Sequence, residues 1–195
     1  MDNFKNPISV IDAIRARHSS RDYTAEKLER GAITTLLDAA VRAPTAMHQE
    51  PWVFVVVQDS ALLKRISTIS KTFFAKEIDH AHLDRGGHAL DAFKHPDFNL
   101  FYNASTLVVI CAKKQGHFED ADCWLAAENL MLAACAEGLG TCVIGSAVAG
   151  LNTEEIKSEL EIPPGMVAIA PIIIGVPSGA VTMTPRKAPK ILSWK

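Results

Sequence analysis

Several features that would settle the class of a protein at once are missing from this sequence of 195 residues. No apolar run approaches the roughly 20 residues needed to cross a bilayer; the longest lie near Trp52–Val57 and Met166–Ile174. The opening residues Met1–Lys5 lack the charged-then-apolar plan of a secretory signal. A soluble, cytoplasmic protein with no membrane partner is therefore expected. The net charge is only −2, with no basic tract or acidic tail, which removes the electrostatic reason to expect nucleic acid as a partner. Neither GxGxxG after a strand nor GxxxxGK occurs, so the Rossmann and P-loop ways of holding a phosphate are both excluded. Cysteine pairing signals are absent too: Cys111, Cys123, Cys135 and Cys142 include no CxxC and sit among apolar neighbours, as buried free thiols do. His80, His82, His88 and His95 cluster in sequence but match no zinc spacing, so no metal is expected.

What is present alternates helix and strand. Pro7 is placed to open a short helix with Ile8, Ile11 and Ile14 along one side. A second helix is expected from Glu26 to Val41, stopped by Pro44. Trp52–Val57 reads as a buried strand, followed by a helix capped at Asp59 or Ser60 and carrying Leu62, Leu63, Ile66 and Ile69. From about 71 to 101, aromatics, histidines and glycines mix without a clear period. That stretch is either a helical lid facing a substrate or a plain surface insertion. Leu107–Ala112 is a second strand, Asp120–Glu137 a long helix ended by Gly138, and Gly138–Gly145 a turn into a short strand. Asn152 with Glu155 suggests a capping box for a helix over Thr153–Leu160. Pro163-Pro164-Gly165 forms a turn before the strand Met166–Ile174, and a basic tail runs from about 176 to 195. The class is α+β, one sheet between helices. With no repeat and no linker, residues 1–195 read as a single domain.

Four segments could carry chemistry. Arg15–Tyr23, RARHSSRDY, supplies three arginines and two adjacent serines. Guanidinium groups and hydroxyls together suit a phosphate monoester, although a solvated helix end explains the same arginines. Arg186-Lys187 in the tail is a second basic cluster that could meet the first. Ala43–Phe54, APTAMHQEPWVF, is a polar loop feeding a strand, where His48, Gln49 and Glu50 could bind the edge of a heterocycle. GLGTCVIG (Gly138–Gly145) has three glycines that allow backbone amides close to a ligand, or simply end a helix and turn the chain.

In this order, RxRHSSRxY, APTAxHxEPWxF, GLGTCxIG and a basic tail after a VP-ended strand, the motifs resemble the nitroreductase family of FMN enzymes. The resemblance spans Ile8 to about Ile191. It implies a sandwich with a central, mostly antiparallel sheet flanked by helices, and an obligate homodimer with two FMN sites at the subunit interface. By position it implies that Arg17, His18 and Ser19 contact the phosphate and ribityl chain, with Arg21 near the N1–C2 edge of the isoalloxazine. Arg186, with Lys187, would meet the distal side of the phosphate. Pro44 and Thr45 would wrap the flavin from the partner subunit, and a backbone N–H at Ile144 or Gly145 would face flavin N5. His48 is the candidate proton donor. The implied reaction carries hydride from NADH or NADPH through the flavin to a small electron-poor acceptor, such as a nitroaromatic or a quinone. A flavin-binding or sensory dimer with little turnover, a specialised flavin-modifying or dehydrogenating member, and a flavin-free interaction module are the alternatives. Many members carry Asn-Ser-Gln where this chain has His48, Gln49 and Glu50, which leaves the acceptor open.

Overall fold

The computed structural model describes residues 8–81, 95, 97–179 and 185–195, with side chains throughout except at 77–81. Its order is α1 (Val10–Ala16), α2 (Arg30–Ala40), a 3-10 turn (Ala46–His48), β1 (Trp52–Val57), α3 (Ser60–Ala81), β2 (Thr106–Lys113), α4 (Glu119–Ala136), β3 (Gly140–Val143), a second 3-10 turn (Gly145–Ala147), α5 (Val148–Leu151), α6 (Glu154–Glu159) and β4 (Met166–Gly175). The strands form one sheet in the order β1-β2-β4-β3, and all three pairings are antiparallel. The expected α+β class and antiparallel sheet are thus borne out.

Alternation along β2 sets the layers. Leu107, Val109 and Cys111 join one apolar cluster with Leu63 and Ile66 of α3, Leu151 of α5 and Ile156 of α6. Val108, Ile110 and Ala112 join the other, with Ile33 and Leu36 of α2 and Ala126 and Leu130 of α4. Both faces of β2 are covered, so its sequence reads as an unbroken apolar run instead of an alternating one. β1 differs from the expected buried strand. As an edge strand it buries Trp52 and Val57 but leaves Val53 and Val56 partly open.

Local chemistry moves three boundaries. Ser9 caps α1 by accepting from the Asp12 N–H at 3.1 Å; Pro7, the expected opener, lies outside the described residues. The expected apolar stripe of α1 is inverted, because Ala13 is the buried residue while Ile11 and Ile14 are exposed. Helix α2 begins at Arg30, not Glu26. The segment just before it is drawn into extended pairing, with Thr24 N–H donating to Val176 at 2.9 Å and Tyr23 bridging Pro177. Thr153, not Asn152, caps α6. The Asn152 amide instead donates to the Val148 and Ala168 carbonyls and accepts from Ala168 N–H, each at 2.9 Å. The side chain is spent tying α5 to β4 before it can cap anything.

Other expectations hold. Asp59 accepts from Leu62 N–H at 2.7 Å and caps α3. Gly138 takes φ +74 after α4, with Gly138 N–H donating to Cys135 and Leu139 N–H to Ala134, the paired bonds of a Schellman ending. Gly165 takes φ +86 in the turn closed by Met166 N–H and Pro163. All four cysteines are free. Of the 71–101 stretch, the first part continues α3 to Ala81 and Phe101 is fully buried; residues 82–94, and with them the lid question, lie outside the described residues.

Candidate functional site

Strand β3 is short and lies at the sheet edge, and the segment after α1 is laid along it. Ser19 bridges Thr141, and Ser20 N–H donates to the Thr141 carbonyl at 2.9 Å. Two glycines make that approach possible. A Cβ on Gly140 would sit 2.6 Å from Ser20 Oγ and 2.8 Å from its Cβ, and one on Gly175 would sit 2.9 Å from Tyr23 Cδ1. Gly138 and Gly140 therefore serve a helix ending and a close packing. Gly145, without a positive φ to account for it, has open space around it.

This arrangement gathers the cations foreseen in the sequence. The guanidiniums of Arg17 and Arg21 and the Ser19 hydroxyl all act on the buried Cys142 thiol of β3. Burial pushes that thiol up from its ordinary value, while Arg21, the Ser19 hydroxyl and Arg17 pull the other way. Basic neighbours of this cysteine are not visible in the sequence, yet desolvation outweighs them, so the thiol stays protonated near neutral pH. Arg21 also lies over the Tyr102 ring, 6.0 Å from its centroid. Tyr102 and Asn103 both take left-handed backbone (φ 50 and 60).

Arg17 is half-buried, and its Nε is 3.2 Å from Glu128 Oε1 on α4. The N–H does not point along that line, so this buried nitrogen has no hydrogen-bond partner. His18 behaves differently. Its Nδ1 is 3.2 Å from the Ala16 carbonyl and its Nε2 is 3.3 Å from Ser20 Oγ. Both ring nitrogens are committed inside the protein, which makes His18 a brace for the segment. Ile144 is buried and Gly145 exposed just beyond β3, two and three residues after the Cys142 on which the arginines act.

The loop from Pro44 to Glu50 belongs to another part of the surface. Ala46 N–H donates to both carboxylate oxygens of Asp122 on α4, at 3.2 Å each. His48 is exposed, as are Pro44 and Glu50, and Thr45 is half-buried. Among the described residues, no hydrogen bond or ion pair links this loop to Arg17, Ser19 or Arg21. The same holds for Arg186 and Lys187, which lie in an exposed tail. One chain thus brings together Arg17, His18, Ser19, Arg21, Ile144 and Gly145, and leaves the other five candidates apart. Among the described residues no group of histidines, cysteines and carboxylates could hold a metal.

Comparison with known proteins fits this frame. The model of the nitroreductase family matches residues 14–176, most of the chain. The chain belongs to the nitroreductase family. It is accordingly an oxidoreductase. A Methanothermobacter thermautotrophicus protein, provisionally named an NADH dehydrogenase/NAD(P)H nitroreductase, is 25% identical over 91% of this chain and 82% of its own. The crystal structure of a Bacteroides fragilis nitroreductase with bound FMN superposes with a TM-score of 0.81 at 23% identity, covering 96% of this chain and 100% of that one. An iodotyrosine deiodinase bound to FMN and 3-iodo-L-tyrosine gives 0.75 at 22% identity, covering 94% and 97%. At these identities the two structures establish the nitroreductase fold of the chain.

Sequence reasoning missed Glu128, Asp122 and Tyr102. Each meets its partner only through the fold. The sole local hint was polar: a glutamate beside Asn129 inside the mostly apolar LAAENLML run, and an aspartate at the start of the same helix.

Proposed function

We propose that this protein is a homodimeric, FMN-dependent oxidoreductase that takes hydride from NADH or NADPH and reduces a small electron-poor acceptor such as a nitroaromatic or a quinone. The observation that carries this reading is the convergence of Arg17, Ser19 and Arg21 beside β3. The donor set suits the group. Two permanent cations and a hydroxyl match a phosphate with a polyol chain, and the orphaned Arg17 Nε is a buried donor awaiting an acceptor. Bound there, FMN would supply the two-electron chemistry, accepting hydride at N5 and returning it to the acceptor.

The chain's own residues then do four things. Arg17 and Ser19 hold the phosphate and ribityl chain. Arg21, steadied over Tyr102, would offer a positive charge to the ring of the bound flavin, where a cation favours added negative charge. The exposed Gly145 leaves space for the ring to lie against the backbone at Ile144–Gly145. His18 and Ser20 brace the segment through their own hydrogen bond. No proton donor is required within the chain, and His48, exposed on the loop, is the candidate if one acts.

A second copy completes the site in this reading. The cavity beside Arg17, His18, Ser20 and Thr141 measures only about 130 Å³, against the roughly 300–1,000 Å³ of ordinary cofactor pockets. Val10, Ile11 and Ile14 of α1 and Trp124 and Leu125 of α4 are exposed in the single chain, and a surface of that kind marks an interface. The partner's loop at Pro44, Thr45 and His48, and a tail bearing Arg186 and Lys187, are the segments left to close the site. The chain reads as one domain. A cytoplasmic location is part of the proposal; among the described residues no helix is long and apolar enough to cross a membrane.

The visible spectrum of the purified protein, before and after anaerobic NADH and then NADPH, tests the reading. It should be yellow, bleach with one donor or both, and recover with an added quinone. A yellow protein that stays yellow would favour a binding role. A colourless protein that takes up no FMN would overturn the proposal.

A further inference from the structure

We propose that Asp122 is a positioning residue, holding the Thr45–Glu50 loop in the one conformation in which it can wall the cofactor site of a second copy. The inference rests on the reading above, in which that loop faces the partner's flavin.

Asp122 is out of place by ordinary rules. It is 5% exposed and, among the described residues, forms no ion pair. Buried carboxylates are otherwise paired or heavily hydrogen-bonded. Its two oxygens instead share a single donor, the Ala46 N–H, across 76 residues of sequence. Asp122 lies in the first turn of α4.

The loop it grips is strained. Met47, His48 and Glu50 take φ of 53, 54 and 44, a left-handed region that residues with a Cβ occupy only when the surroundings impose it. Three such residues among four would relax if they were free. Besides the Gln49 N–H bond to the Ala46 carbonyl at 3.2 Å, two bonds oppose relaxation: Thr45 Oγ1 accepts from Glu50 N–H at 3.4 Å, a weak closure, and Asp122 grips Ala46. The second is the one that ties the loop to the body of the fold. Its effect is to turn Met47 fully outward, 86% exposed, beside the exposed His48. An apolar side chain held outward by backbone strain has no folding role. It fits a surface that another chain covers.

The test uses the FMN-loaded protein, three single variants and the double variant Asp122→Ala with Ala46→Pro. Asp122→Ala removes the acceptor. Ala46→Pro removes the donor and leaves Asp122 intact. Proline is tolerated at the first position of a helical turn, and Thr45, at φ −130 and ψ 149, already has the extended backbone required before proline. Asp122→Asn keeps one carbonyl acceptor. Amide exchange across 45–50, read by mass spectrometry, should speed up about tenfold or more in the first two variants. The FMN dissociation constant, read by flavin fluorescence, should rise about fivefold or more, with the double variant no worse than either single one. Asp122→Asn should stay within about threefold of wild type, because one oxygen suffices for one N–H. A purely structural role would lower the melting temperature and leave FMN affinity unchanged.

Exchange unaltered in both Asp122→Ala and Ala46→Pro would refute the anchor. Faster exchange with unchanged FMN affinity would refute the positioning role. If wild-type protein bound no FMN, the proposed function would fall, while exchange on the FMN-free protein would still decide whether Asp122 holds the loop.

Discussion

Arg17→Ala separates a phosphate ligand from a structural arginine, and the structure sets the size of each effect. As a structural group Arg17 has little to lose. Its partner Glu128 is 46% exposed and poorly aligned at 3.2 Å, and a pair of that kind contributes about 0–1 kcal/mol. The apoprotein should therefore unfold within about 1 kcal/mol of wild type in urea. As a phosphate ligand Arg17 has much more to lose, since a charge-assisted hydrogen bond contributes about 1.5–3 kcal/mol. FMN affinity should then fall roughly 10- to 150-fold. Glu128→Gln is the control. It removes a carboxylate that competes for Arg17 and repels a phosphate, so FMN should bind as tightly or more tightly. The assay is quenching of flavin fluorescence on titration of apoprotein, with urea curves on the same samples. FMN affinity unchanged in both Arg17→Ala and Arg186→Ala would sink the phosphate assignment. A urea loss well above 1 kcal/mol for Arg17→Ala with unaltered FMN binding would make Arg17 structural.

Three further outcomes are expected. Gly140→Ala should destabilise by about 1–3 kcal/mol, the usual cost of overpacking, because its Cβ would overlap Ser20; a loss below about 0.5 kcal/mol would mean that the segment is not clamped to β3. Asn152→Ala should cost about 1–3 kcal/mol by stripping two bonds to Ala168 of β4 and one to Val148 of α5, more than the roughly 1 kcal/mol of removing the Thr153 cap; the reverse order in urea would mean that Asn152 does not tie α5 to β4. Burial pushes Cys111 up to about 11 and Cys123 to about 12, from an ordinary 9.0. The folded state then keeps protons that the unfolded chain releases, so stability is fully present below pH 9 and declines from there toward pH 11. Urea midpoints at pH 8 and pH 10.5 check the sign, and a rise would contradict the burial of the thiols.

The elements were legible where side chains answer to local rules. The β2 and β4 runs, the Asp59 cap, the Gly138 ending of α4 and the Gly165 turn all follow from residues within a few positions of one another. Reading failed where a distant partner won. Residues 26–29 have a helix-like pattern but stay outside α2, after a segment (Asp22–Thr24) that is bonded to the chain following β4. Asn152 sits before a helix but bonds to β4. The Ile11 and Ile14 stripe of α1 has a helical period, and period says that a face is apolar without saying what covers it.

The same division runs through the site. The sequence by itself determined which groups are available: arginines and serines in RARHSSRDY, the GLGTCVIG turn, the APTAMHQEPW loop, and the family to which that order belongs. Tertiary structure decided which of them meet. The fold lays Ser19 against Thr141 in a parallel bridge and so brings Arg17 and Arg21 toward Cys142. It commits the His18 ring to the interior of the chain and hangs the Ala46 loop from Asp122. Local propensity acts through neighbours along the chain, while a binding site is made of neighbours in space, and only the burial of the apolar faces on both sides of the sheet fixes who those are.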